Sequence, residues 1–221
     1  MSVANATVLA TDSFTRANAP NLGANWTAMG DNGYEIISNQ AVPLGFGNQC
    51  YDAYTAIAAF PPDQYAQGKI TVVGTTFDTG MGPAVRMSGI AGVNLAACYR
   101  ISANHGAANN IKLTRVKLGG NFLDLATVTS AWTDGDTWRL EIQGQTLKMF
   151  KNDVAVGVAT GYVDRDLLDG YPGMSLSASI TSGNVDDFEC GGFNGSFRND
   201  VIHQDFPKFI MRPIITQGRL V

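Results

Sequence analysis

Asp136-Thr-Trp-Arg-Leu-Glu-Ile142, Gln143-Gly-Gln145 and Leu147-Lys-Met-Phe-Lys-Asn-Asp-Val154 are the stretch that decides the fold class. Trp138, Leu140 and Ile142 alternate with Arg139 and Glu141, and a period of two puts these sets on opposite faces of a strand. Gln143-Gly144-Gln145 turns the chain into the next run. Lys151-Asn152-Asp153 turns it again into Val154–Val158, with Gly and Asn tolerating the positive φ of tight turns. Trp138 and Phe150 read as core.

Outward from this hairpin, short segments rich in Val, Ile, Thr, Tyr and Phe recur, with Gly, Asn and Asp clusters between them at roughly the 8–12-residue spacing of a sandwich or barrel. Strands are predicted from Val8–Thr15 to Val185–Cys190, among them Tyr51–Ala58, Pro83–Ser88, Asn94–Ile101 and Asn110–Leu118. One short helix is expected near Asp164–Leu168. The expected fold is an all-β, two-sheet antiparallel sandwich over residues 1–193.

Composition narrows the function classes. With 221 residues and 45% hydrophobic content the chain can bury a sizeable core. A net charge of −4 with 15 Lys and Arg speaks against nucleic acid, which needs a basic face. No run reaches the ~18 apolar residues of a membrane span, and Met1–Thr11 lacks a signal peptide's basic start and apolar core. Cys50, Cys98 and Cys190 fit neither a disulfide framework nor a zinc site; Cys98, in an apolar run, reads as a buried thiol.

From Asn194 the texture changes. Residues 194–221 hold four Lys and Arg against two Asp, while the rest of the chain holds eleven against seventeen acids. Phe197, Phe206, Phe209, Ile210, Met211, Ile214 and Ile215 fall here, and Pro207 and Pro213 forbid a continuous helix. This reads as an extended docking arm, seated on its own sandwich or on a partner.

Asp12-Ser-Phe-Thr-Arg16 with Leu22-Gly23 and Asn25-Trp26, Gly82-Pro-Ala-Val-Arg86, Ala97-Cys-Tyr-Arg100, the Asp136–Val154 hairpin, Gly170-Tyr-Pro-Gly173 and Val185-Asp-Asp-Phe188 together resemble the concanavalin A-like lectin/glucanase superfamily. The likeness is greatest to the laminin-G-like domains of bacterial and phage proteins. It implies a jelly roll whose first and last strands pair, setting Asp12–Phe14 beside Asp186–Phe188. It also implies a glycan face, for which Arg86, Tyr99, Arg115, Tyr51 and Tyr54 are the candidates. A calcium ion is a second implication, with Asp164, Asp166 and Asp169 as candidate ligands; the reading preferred for these acids is that they cap turns.

A glucanase needs two carboxylates on one strand face, but Glu35, Glu141 and Glu189 are scattered. No catalytic residue is therefore assigned and no enzyme activity is expected. The leading expectation is a structural or display protein of a phage-type virion, a capsid decoration or tail component. It would be made in the host cytoplasm and anchored by its arm to virion proteins and to itself, as in a trimer. A carbohydrate-binding module is the alternative, and a diverged glycoside hydrolase the third. Deleting Asn194–Val221 is expected to leave a soluble β-rich domain with a cooperative melt by circular dichroism. Assembly should be lost in size-exclusion and co-assembly assays; an unfolded product would place the arm in the core instead.

Overall fold

The computed structural model describes residues 5–44, 50–72, 80–89, 96–104, 110–130, 133–177 and 183–194. The arm beyond residue 194, with Phe197, Phe206, Phe209, Ile210, Met211, Ile214 and Ile215, lies outside the described residues, as do His105, Trp132 and His203.

Sixteen strands form among the described residues. They are β1 (Asn5–Asp12), β2 (Trp26–Ala28), β3 (Tyr34–Ile37), β4 (Gln40–Pro43), β5 (Cys50–Tyr54), β6 (Gln64–Val72), β7 (Gly80–Ser88) and β8 (Ala97–Asn104). The second half supplies β9 (Asn110–Lys117), β10 (Asn121–Thr129), β11 (Thr137–Gln143), β12 (Thr146–Lys151), β13 (Val154–Val156), β14 (Tyr162–Val163), β15 (Tyr171–Ser177) and β16 (Asn184–Asn194). One sheet has nine strands, in the order β13-β12-β11-β6-β16-β4-β3, with β1 added to β16 and β14 to β12. The other has seven, in the order β10-β9-β8-β7-β15-β5-β2. This is the expected antiparallel jelly-roll sandwich. Its first and last strands pair as anticipated, Asp12 opposite Phe188 and Asn5 opposite Asn194.

The deciding hairpin behaves as its alternation dictates. Trp138, Leu140 and Ile142 are buried, and so are Leu147 and Met149 of the returning strand. Asn152 and Asp153 take φ of 48° and 62° at the next turn, the left-handed pair that matches strand twist. Phe150 is corrected: one residue on from Met149, it faces outward, and the Arg139 guanidinium lies 4.5 Å over its ring. The opening motif also has a physical basis. Asp12 accepts from Phe14 N at 2.8 Å, Arg16 Nη1 at 2.7 Å and Trp26 Nε1 at 2.9 Å. That carboxylate ends β1 short of the expected Thr15 and seats Trp26 against Phe188, ring centroids 4.7 Å apart.

The helix expected near Asp164–Leu168 is absent; the segment is irregular. Asp166 N donates back to the Asp164 side chain and Leu167 N to the Tyr99 hydroxyl. Side chains thus satisfy these amides in an irregular conformation that competes with a helix. The described residues contain no helix, so none is long and apolar enough to cross a membrane. Cys50, Cys98 and Cys190 are buried free thiols, each pushed by burial up to about 12.

Asp52 is buried on β5, its Oδ2 accepting from Tyr34 N at 2.7 Å. A Cβ on Gly33 would stand 2.9 Å from both carboxyl oxygens, so glycine is needed there. Burial pushes the Asp52 carboxyl up to about 7, against the pull of the Tyr34 amide. The unfolded chain releases this proton near pH 4 and the folded chain holds it to about pH 7. Stability therefore falls as pH rises through that window, by up to roughly 1.4 kcal/mol per pH unit. Asp52→Asn is expected to flatten this slope in urea titrations between pH 4 and 7; an unchanged slope would assign it to other groups.

Candidate functional site

Side-chain parity sorts the candidate residues. On β8, Tyr99 and Ile101 face the other sheet, while Cys98 and Arg100 face away from it. Tyr99 is fully buried: its hydroxyl donates to Asp164 Oδ1 at 2.5 Å and accepts from Leu167 N at 3.0 Å. Arg115 Nη1 pairs with Asp164 Oδ2 at 2.6 Å and also with Asp166, which takes Lys117 Nζ at 2.9 Å as well. Tyr54 belongs to the inter-sheet aromatic cluster, 5.3 Å from Trp26 between ring centroids.

Arg86 is fully buried. A φ of 52° at Arg86 and a register shift between Val85 and Ser88 turn its side chain inward. There Nη1 donates to Leu167 O at 2.7 Å, Nη2 to Gly144 O at 2.7 Å and Nε to Pro62 O at 3.0 Å, with Asp63 Oδ1 at 3.8 Å. Four of the five expected glycan residues therefore do structural work inside the sandwich. Tyr51 alone lies on an outward face, and it too is buried.

The calcium candidates sort the same way. Asp164 and Asp166 meet cations and a phenol, Asp169 is exposed, and no group of three or more His, Cys, Asp or Glu able to hold a metal occurs among the described residues. Asp164 and Asp166 shape a turn and anchor it to β8 and β9.

Strand register builds a different site, on the outer face of the seven-stranded sheet. Asp124, Thr114, Arg100, Ala84, Gly173 and Ala53 follow one another across β10, β9, β8, β7, β15 and β5. Half of this row is small and half polar. Thr114 Oγ1 donates to Asp124 Oδ1 at 2.9 Å, and Lys112 Nζ pairs with Asp124 Oδ2 at 2.8 Å. Arg100 lies between two rings, its guanidinium carbon 5.1 Å from the Phe122 centroid and 5.9 Å from that of Tyr51. Phe122 is 44% exposed, and the Asp124 and Lys112 side chains 41% and 36%, so the β8–β9–β10 corner has a reachable rim over a buried floor. Sequence reading passed over this corner, although parity around Cys98 and Val116 marks Arg100 and Thr114 as sharing their outward face.

The sequence matches no family model and no curated protein. Solved structures match the fold. One is a Bacillus subtilis protein of unknown function with a galectin-like fold, TM-score 0.57 at 12% identity over 84% of this chain and 96% of that one. The chain shares the two-sheet fold of these proteins. The catalytic domain of an endo-1,3-beta-glucanase (laminarinase) from Thermotoga petrophila aligns with TM-score 0.55 at 8% identity, over 87% of this chain and all of that one. The carbohydrate binding module CBM66 from Bacillus subtilis aligns with TM-score 0.53 at 14% identity, over 74% and 92%.

Because Arg86 ties three separate carbonyls, Arg86→Met is expected to destabilise by about 3–5 kcal/mol, read from the urea midpoint. Arg86→Lys should recover little, since one ammonium cannot span a planar fork's partners. Recovery to near wild type would reduce the clamp to a simple charge.

Proposed function

We propose that the chain is a non-catalytic, lectin-like carbohydrate-binding module whose ligand sits at the β8–β9–β10 corner of the seven-stranded sheet. The observation that supports it is the joining of a half-exposed ring, Phe122, to a carboxylate and an ammonium, Asp124 and Lys112, above Arg100. A sugar offers an apolar ring face for stacking and hydroxyls for paired hydrogen bonds, and this corner offers both partners. A carbohydrate binding module among the fold's neighbours supports the same reading.

Against turnover stands the engagement of the acids. Glu141 and Glu189 face outward on either side of β6, on the nine-stranded sheet. Glu141 lies 2.9 Å from Arg139 Nε, and Glu189 accepts from the Tyr65 hydroxyl at 2.8 Å. Burial raises the Glu141 carboxyl while Arg139 and Lys148 oppose it. The virion-display reading rests on the arm, whose residues from 195 on lie outside those described.

Phe122→Ala and Asp124→Ala are each expected to weaken retention on a glycan array about tenfold, roughly 1.4 kcal/mol. Melting temperature should hardly move, as for other exposed positions. No reducing sugar should be released from β-glucans, agar-type galactans or chitin; turnover abolished by Glu141→Gln would overturn the non-catalytic reading.

A further inference from the structure

Arg100 is the one interior guanidinium among the described residues whose charge no carboxylate meets. Arg86 has Asp63, Arg115 has Asp164 and Asp166, and Arg139 has Glu141 and Asp153. Arg100 is only 3% exposed and takes part in none of these ion pairs. Its Nε is buried without a hydrogen-bond acceptor. Nη1 reaches the Tyr51 hydroxyl at 3.5 Å, the long limit of a hydrogen bond. Asp124, in its register row beyond Thr114, is already held by Lys112 and Thr114.

A buried, unneutralised cation is costly, and a methionine or leucine of similar volume would pack there without that cost. The two rings supply cation–π stabilisation to the faces of the guanidinium and leave its N–H edge without a carboxylate, with Nε unpaired. That edge is a planar fork, the geometry that takes a carboxylate or a sulfate by paired hydrogen bonds. Phe122 is the half-exposed one of the two rings, so the guanidinium lies against a ring that solvent, and a sugar, can reach.

We infer that the glycan taken at this corner is an acidic one, its carboxylate or sulfate ester pairing with Arg100. This rests on the glycan-binding reading above and narrows it to a class. The charge pattern suits it: the corner holds Arg100 and Lys112 against Asp124, although the whole chain carries a net charge of −4.

The test titrates the full chain with oligogalacturonate, dextran sulfate, a neutral galactan oligomer and dextran, by calorimetry at low and at physiological salt. At least one acidic probe should bind ten times or more tighter than its neutral counterpart, and less tightly as salt rises. Which of the two binds separates a carboxylate from a sulfate ligand. Arg100→Met should abolish the preference with no fall in melting temperature, since it removes an unpaired charge. Arg100→Lys, which keeps the charge and loses the fork, should lower acidic binding severalfold and serves if the methionine variant does not fold. Neutral and acidic sugars bound alike, or acidic binding unchanged by both variants, would overturn the acidic class and leave the glycan reading standing. No binding of any probe would overturn both.

Discussion

One buried guanidinium fixes the frame on which the rest of the molecule hangs. Arg86 leaves the seven-stranded sheet and takes carbonyls from the chain before β6, from the β11–β12 turn and from the irregular segment before β15. Asp63 accepts from Gly144 N at 2.7 Å in the same cluster, and Gln64 accepts from Arg86 N and donates to Gly170 O. Sheet-on-sheet packing is non-directional, so apolar area alone would let two twisted sheets slide. Hydrogen bonds with fixed directions across the gap remove that freedom. The cost is an inward-turned residue at positive φ, sustained because its surroundings satisfy every arm of the fork.

The same arginine shows where sequence reading stopped. The sandwich was legible because alternation at Trp138, Leu140 and Ile142 is a purely local signal. So was the pairing of Asp12 with Phe188, through resemblance. The short strands β2, β4 and β14 span too few residues for alternation to show. The site failed for a subtler reason. Tyr99, Arg115 and Arg86 look like surface residues by chemistry, yet parity or a bulge points each inward. A one-residue phase decides the face, and a single positive φ inverts it. Asp164 and Asp166 were legible only as acids; that they serve Arg115, Lys117 and Tyr99 depends on strands 49 or more residues away.

The two outer faces divide the polar work. On the nine-stranded sheet the outward charges pair with one another, Arg139 with Glu141 and Asp153, Lys69 with Asp187. On the seven-stranded sheet, β5 and β7 are buried on both faces, and Met29, Tyr51, Ala53, Ala84, Met87, Ala96, Cys98 and Val116 form a second apolar cluster. A sheet of a two-layer sandwich ordinarily presents a solvated outer face. Among the described residues, Arg100 is the charged side chain buried on that outer face.

The closing pair of strands has an architectural consequence. Asn5 and Asn194 face each other across a single ladder rung, neighbouring chains about 5 Å apart. Both ends of the sandwich therefore leave it from one corner. A domain so built can be spliced into a surface loop of another protein without stretching its host, or have its ends joined and reopened elsewhere as a circular permutant, with the two sheets and their register intact.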